Sequence, residues 1–187
     1  FIEDRNWSRG EGWYRRQFAG AGDAKVCGEA SPNYTKWPRF PGVPERMATT
    51  IPRAKLIYVL RDPVRRTYSH YVHNLQNGRE ERGLDEAFAD LENNNYVMAS
   101  RYELQLRRFL EHYPREAILI TTQEQLRDDR KRVLEQVFGF LDVDTEFDDP
   151  GFEQEAHVSS DKRGPTPLAR RLAGLPGGKQ LRLAMPG

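Results

Sequence analysis

The chain has 187 residues, enough for one well-buried domain but cramped for two. Its 29 Lys and Arg residues balance 28 Asp and Glu residues to a formal charge of +1, so no strong overall field favours nucleic acid or an anionic membrane as partner. A single cysteine, Cys27, excludes an internal disulfide framework and favours a cytoplasmic location. No apolar run approaches the roughly 20 residues of a membrane span.

Strand and helix patterns alternate along the chain. The residues rich in strand formers are 25–27, 55–60 and 117–121. The helical patterns lie at 44–51, at 63–77 before Gly78, at 98–113 and at 129–141, and residues 142–167 have loop composition. Strands that alternate with helices indicate an α/β protein with a parallel sheet buried on both faces. We expect residues 1–187 to form one domain.

The segment KLIYVLRDPVRRTYSHYVHNL, residues 55–75, carries the main functional signal. Asp62 is suited to cap the helix and Pro63 to occupy its first turn, which places Arg61 at the carboxyl edge of a parallel strand, where α/β sheets bind anions. The apolar stripe of this helix, predicted to face the core, comprises Val64, Tyr68, Tyr71, Val72 and Leu75.

Ser69 lies about 120° from that stripe, so its hydroxyl is available to a ligand. An arginine fork and a hydroxyl suit a terminal phosphate monoester. The alternative is that Arg61 pairs with Asp62 and that Ser69 is merely solvated. The spacing alone leaves both interpretations open.

The segment LIYVLRDPVRRTYSHY resembles the 3'-phosphate-binding strand and helix of sulfotransferases that use 3'-phosphoadenosine 5'-phosphosulfate, particularly the heparan-sulfate-type and bacterial branch. The segments GEASPNYT, VPERM and SRYELQLRRFLEHYPREAILITTQEQLRDD resemble the same branch in the same order, and together they cover most of residues 1–141. The resemblance implies a P-loop-NTPase-like three-layer fold with a central parallel sheet flanked by helices. It also implies sulfuryl transfer to a hydroxyl or amino group of a carbohydrate or natural product, without a metal.

The resemblance implies roles for individual residues. Arg61 and Ser69 would hold the 3'-phosphate, and Lys162 and Arg163 in SSDKRGP would fold over the phosphosulfate or adenosine end unless they belong to a plain charged loop. Glu29 is the candidate catalytic group facing the acceptor, with a buried partner for an arginine as the alternative. His73 is a candidate acceptor contact, with an ordinary surface histidine as the alternative.

The sequence departs from the family pattern at the 5'-phosphosulfate loop. That loop and the catalytic glutamate after it precede, in relatives, the segment that FIEDRNWSRGEGWYRRQF resembles. We therefore expect an N-terminally incomplete domain, and no sulfate transfer by residues 1–187 alone. Ala30 stands where heparan-type relatives often place a lysine, which bears on the acceptor.

The remaining histidines, the cysteine and the aromatic residues lead to further hypotheses. His70 and His73 are spaced to share a metal, but no further ligand is apparent. Cys27 is expected to pack in the core. Trp7, Trp13, Tyr14, Tyr34 and Trp37 either line an acceptor cleft or pack in the core. The alternative functions are a non-catalytic nucleotide-binding or interaction module of the same fold, and a P-loop kinase relative that uses ATP.

Overall fold

The structure is a computed structural model that describes residues 1–153. Its helices are α1 (Gly10–Arg16), α2 (Val43–Thr50), α3 (Pro63–Gln76), α4 (Leu84–Ala87), α5 (Asn95–Met98), α6 (Tyr102–Leu110), α7 (Gln123–Asp128) and α8 (Arg130–Leu141). Short 3-10 helices occur at Trp7–Arg9, Arg115–Ala117 and Pro150–Glu153. No helix in the described range is long and apolar enough to cross a membrane.

The residues fall into two compact units. The first comprises Phe1–Val72 and Arg82–Phe147 and contains the sheet. The second contains, within the described range, His73–Glu81 and residues 148–153. The expectation that residues 1–187 form one domain stays a prediction.

Two parallel strands, β1 (Leu56–Leu60) and β2 (Ile118–Thr122), form the sheet of the first unit. Leu56 pairs with Ile118 and Leu60 with Thr122, so both strands end at the same edge. The chain between them contains α3 to α6, because parallel neighbours cannot be joined by a tight turn. The predicted strands at 55–60 and 117–121 and the α/β class are confirmed.

The main core of the first unit lies around α2, α6 and β2. Its buried members are Phe1, Ile2, Val43, Met47, Phe109, Tyr113 and Ile118. A second cluster packs Tyr71 of α3 against Ala87 and Tyr96. Burial of these side chains supplies the main driving force for folding.

The predicted strand at residues 25–27 is wrong. Lys25, Val26 and Cys27 have no strand geometry and are exposed, and within residues 1–153 the sheet consists of β1 and β2 alone. Three strand-forming residues do not make a strand without a neighbour to complete the hydrogen-bond ladder. The expected core packing of Cys27 is therefore wrong as well.

The predicted core stripe of α3 is only partly correct. Tyr71 is buried and Val72 half-buried, but Val64 is 75% exposed and Tyr68 57% exposed. β1 shows a similar departure, because Val59, on the face opposite Leu56 and Leu60, is 50% exposed. Within the described residues, β2 is thus buried or half-buried on both faces, whereas one face of β1 is exposed.

The remaining helices match their patterns with small shifts. α2, α3 and α8 lie within a residue or two of their predicted bounds, and Gly78 has a φ of +64° after α3, a conformation that favours glycine. The helix predicted at 98–113 is divided into α5 and α6. Ala99, Ser100 and Arg101 separate them, and Arg101 has a non-helical ψ of 73°.

Gln105 of α6 is a buried polar residue that the apolar pattern did not identify. It is 1% exposed, and its side-chain amide accepts a hydrogen bond from Trp37 N (2.8 Å) and donates to Trp37 O (2.8 Å) and Met98 O (2.9 Å). These bonds join the segment around Trp37 to α5 and α6.

We expect the Gln105→Leu substitution to lower the free energy of unfolding by roughly 2–5 kcal/mol, because it leaves buried backbone groups without partners. Chemical denaturation of the variant and the wild type measures the difference. Gln136→Leu is the matched control, since Gln136 is exposed on α8, and it should change stability by less than about 0.5 kcal/mol. Equal stability of the two variants would contradict the assigned role of Gln105.

Candidate functional site

The junction of β1 with α3 has the geometry expected from the sequence. β1 ends at Leu60 and α3 begins at Pro63. Asp62 Oδ1 accepts a hydrogen bond from Arg65 N at 2.7 Å, and Asp62 O accepts one from Arg66 N at 2.9 Å. The carboxylate therefore caps the helix, and Pro63 occupies a position where no backbone donor is required.

The junction of β2 with α7 is hydrogen-bonded to the junction of β1 with α3. Thr122 and Gln125 form a capping box, in which Thr122 Oγ1 accepts from Gln125 N (3.0 Å) and Gln125 Oε1 accepts from Thr122 N (2.9 Å). Glu124, in the first turn of α7, accepts a hydrogen bond from Asp62 N at 3.2 Å. The two strand ends are thus linked directly at the carboxyl edge of the sheet.

Arg61 and Ser69 are both half-buried in this part of the first unit. Within residues 1–153 the Arg61 guanidinium makes no ion pair and the Ser69 hydroxyl makes no hydrogen bond. The Asp62 carboxylate caps α3 instead of pairing with Arg61, so the local-pairing alternative is not what the structure shows. Both side chains keep their donors available.

A polar cluster that was not predicted from the sequence lies next to this junction. It consists of Arg66 and Thr67 of α3, Tyr58 of β1, Ser100 before α6, and Tyr102 of α6. Arg66 Nη1 lies 3.3 Å from Ser100 Oγ, and Thr67 Oγ1 lies 2.7 Å from the same atom. The available signal was that Arg66 lies three residues before Ser69, on neighbouring positions of one helix face.

Burial dominates the electrostatics of the cluster. It raises the pKa of Tyr58 and of Tyr102, although the positive charge of Arg66 acts in the opposite direction on both hydroxyls. It also lowers the pKa of Arg66, while the two tyrosines act to raise it. The guanidinium and the two hydroxyls thus influence one another electrostatically.

Glu29 is exposed and bonded to a tyrosine. Its Oε1 accepts a hydrogen bond from the Tyr34 hydroxyl at 2.8 Å, and no arginine pairs with it in the described part of the chain. Burial of Tyr34, together with the adjacent Glu29 carboxylate, raises the pKa of Tyr34. The alternative of Glu29 as a buried arginine partner is therefore wrong, and its catalytic role stays a prediction.

Of the other candidates, the structure describes His73 alone. His73 is exposed in the second unit, where its Nε2 lies 3.3 Å from Asn77 Nδ2 and its backbone oxygen accepts from the same Nδ2 at 2.6 Å. Lys162 and Arg163 lie outside the described residues. In the range 1–153, no group of three or more His, Cys, Asp and Glu side chains is placed to hold a metal ion.

The N-terminal aromatic residues mostly pack in the interior. Trp7, Tyr14 and Tyr34 contact the main core cluster, and the Phe1 ring lies 4.9 Å from Tyr14 and 5.9 Å from Tyr34 between centroids. Arg108 lies over the Trp37 ring at 5.2 Å. Core packing thus accounts for three of the five aromatic residues considered as an acceptor cleft.

Comparison with a solved structure gives the class of protein. The chain matches the crystal structure of a sulfotransferase from Alicyclobacillus acidocaldarius with a TM-score of 0.68 and 28% sequence identity, over 92% of this chain and 70% of that chain. The protein therefore has the α/β, P-loop-like fold of that class. A family model described as a sulfotransferase domain matches residues 41–161, and the chain belongs to this sulfotransferase family.

Curated relatives agree with this membership. The bifunctional heparan sulfate N-deacetylase/N-sulfotransferase 2 of Homo sapiens is 28% identical over 158 residues, which is 76% of this chain and 17% of the relative. The membrane-associated sulfotransferase kil1 of Dictyostelium discoideum is 37% identical over 73 residues, covering 37% of this chain and 15% of the relative. The chain thus spans less than a fifth of the length of these relatives.

We expect Asp62→Ala to lower the free energy of unfolding by about 0.5–2 kcal/mol, because it removes the side-chain acceptor for Arg65 N. Asp62→Asn keeps an acceptor at the same position and should retain most of the stability. Thermal unfolding of the three proteins measures the effect. An alanine variant as stable as the asparagine variant would show that the cap contributes nothing.

Proposed function

We propose that the protein transfers a sulfuryl group from 3'-phosphoadenosine 5'-phosphosulfate to a hydroxyl or amino group of a carbohydrate or small natural-product acceptor. Membership of the sulfotransferase family supports the reaction. The relatives named as heparan sulfate N-sulfotransferases support a carbohydrate amine among the acceptors. The single cysteine favours a cytoplasmic location, which we include in the proposal.

The observation that carries the proposal is the pair of uncommitted donors on Arg61 and Ser69. A guanidinium offers a planar fork that matches two phosphate oxygens, and a hydroxyl can donate to a third. Neither group is engaged by another residue within 1–153. A 3'-phosphate monoester is negatively charged, which complements the guanidinium, and its terminal oxygens are enough to accept from both the fork and the hydroxyl.

Several backbone groups at this junction are already engaged or lack a donor. Asp62 N donates to Glu124 Oε1, Arg65 N donates to Asp62 Oδ1, and Pro63 has no backbone N–H. Anion sites at helix N-termini usually rely on such free N–H groups. Recognition of the 3'-phosphate therefore falls to the side chains of Arg61 and Ser69.

When bound, 3'-phosphoadenosine 5'-phosphosulfate supplies the sulfuryl group and 3',5'-adenosine bisphosphate as the leaving product. Transfer also requires a base for the acceptor proton and positive charge near the leaving phosphate. We propose Glu29 for the acceptor side, since its hydrogen bond from Tyr34 fixes one carboxylate oxygen and leaves the other available. His73 as an acceptor contact, and Lys162 and Arg163 as cofactor contacts, rest on the family resemblance.

We expect Arg61→Ala to weaken binding of 3',5'-adenosine bisphosphate to the full-length protein about 10- to 100-fold, because it removes charge-assisted hydrogen bonds. Ser69→Ala should weaken binding about 3- to 10-fold, since it removes one neutral donor. Isothermal titration calorimetry measures both. Arg65→Ala is the control, because Arg65 is exposed in the first turn of α3 and its replacement should leave the affinity within about twofold.

Unchanged affinity in Arg61→Ala would remove the basis of the proposal. Transfer from a sulfur-labelled donor to desulfated carbohydrate tests the reaction itself. A full-length protein that binds the bisphosphate through Arg61 but transfers no label to a broad set of hydroxyl and amino acceptors would instead support the non-catalytic nucleotide-binding module; residues 1–187 alone do not decide this point, since no transfer is expected of them.

A further inference from the structure

Arg66 occupies an unusual position for an arginine. It is half-buried, and its described hydrogen bonds go to neutral oxygens, Ser100 Oγ at 3.3 Å and the Tyr96 carbonyl at a weaker 3.5 Å. No carboxylate lies within ion-pair distance of it in residues 1–153. Buried arginines are normally paired, so the positive charge here is carried at a cost in free energy.

Two tyrosines adjoin the same guanidinium. The Tyr58 and Tyr102 rings meet edge to face, with centroids 5.9 Å apart and an interplanar angle of 89°. Both hydroxyls are buried and make no hydrogen bond of good geometry within the described residues. The Tyr58 hydroxyl interacts with the Thr35 side chain. The Tyr102 hydroxyl interacts with the Arg61 backbone, which acts to lower the pKa of Tyr102, while burial raises this pKa by a larger amount.

The cluster therefore contains residues from three elements, and Tyr102 links it to Arg61. Tyr58 comes from β1, Arg66 from the first turns of α3 and Tyr102 from the first turn of α6. Arg66 and Thr67 are consecutive and both contact Ser100 Oγ, so rotation of α3 about its axis would break both contacts. Ser69 follows three residues after Arg66 on that helix, and its direction is fixed by the same rotation.

We propose that Arg66 is a positioning residue that orients the Arg61 and Ser69 donors toward the 3'-phosphate of the nucleotide. This inference rests on the proposed function. Recognition of a phosphate requires donors held within about 0.5 Å of the productive geometry by the residues behind them. Arg66 supplies that support through its contacts with the 96–100 segment, and its uncompensated charge raises the positive potential where the anion binds.

The experiment compares two nucleotides that differ in the 3'-phosphate. Affinities of the full-length protein for 3',5'-adenosine bisphosphate and for adenosine 5'-monophosphate are measured by calorimetry, and their ratio reports recognition of the 3'-phosphate alone. We expect Arg66→Met, which keeps the aliphatic length, to lower this ratio about 10-fold. We expect Arg66→Lys, which keeps the charge, to recover part of the ratio.

Arg65→Met is the matched control. Arg65 is exposed and directly precedes Arg66. Its replacement by methionine removes one positive charge, as Arg66→Met does, but leaves the contacts of the cluster intact. The ratio should stay within about twofold of the wild type. If Arg66→Met does not fold, Arg66→Lys and Ser100→Ala decide the matter, since each weakens the contact between α3 and Ser100 while retaining most of the packing.

Three results would overturn the inference. The first is an unchanged ratio in folded Arg66→Met, or in both Arg66→Lys and Ser100→Ala. The second is a parallel loss of affinity for both nucleotides with a lower melting temperature, which is what a merely structural role produces. The third is a wild-type protein without preference for the bisphosphate, or one whose preference survives Arg61→Ala; in that case the proposed function fails too. Loss of the preference in Arg61→Ala but not in the Arg66 variants overturns the positioning role alone.

Discussion

The short link between β1 and α3 is the constraint on which the rest of the site depends. A parallel strand that turns into a helix within two residues must satisfy the backbone groups at the turn, and here Asp62 does so from both sides. Its carboxylate accepts from Arg65 N, and its own N–H donates to Glu124. Asp62 N and Arg65 N are therefore used within the fold, and the uncommitted donors of Arg61 and Ser69 belong to side chains.

Features decided by residues adjacent in sequence were predictable. The cap at Asp62, the start of α3 at Pro63 and the positive φ of Gly78 each follow from the chemistry of one or two residues. β1 and β2 were predictable from runs of β-branched and aromatic residues next to turn signals. The family resemblance added the proposal that Arg61 and Ser69 bind one phosphate, which spacing alone left open and which stays a prediction.

Features decided by distant partners were not predictable. Residues 25–27 have strand composition but no ladder partner in the described structure, so they form no strand and are exposed. Gln105 is buried because it bonds to Trp37, 68 residues away. Hydrophobic periodicity predicts that glutamine and arginine lie at the surface, because the pattern contains no information about distant carbonyl or hydroxyl groups. Hydrogen bonds to such groups offset the cost of burying these polar side chains.

The orientation of α3 shows how these two kinds of signal compete. A helix placed by hydrophobic burial alone would turn Val64 and Tyr68 inward, yet both are exposed within residues 1–153, while Arg66 and Thr67 face Ser100. Polar contacts therefore set the rotation at the start of the helix, and apolar burial takes over only at Tyr71, one to two turns later. Because Ser69 lies between these two regions, its hydroxyl is half-buried without being consumed by the core. A hydroxyl in that position keeps its donor available to an incoming acceptor.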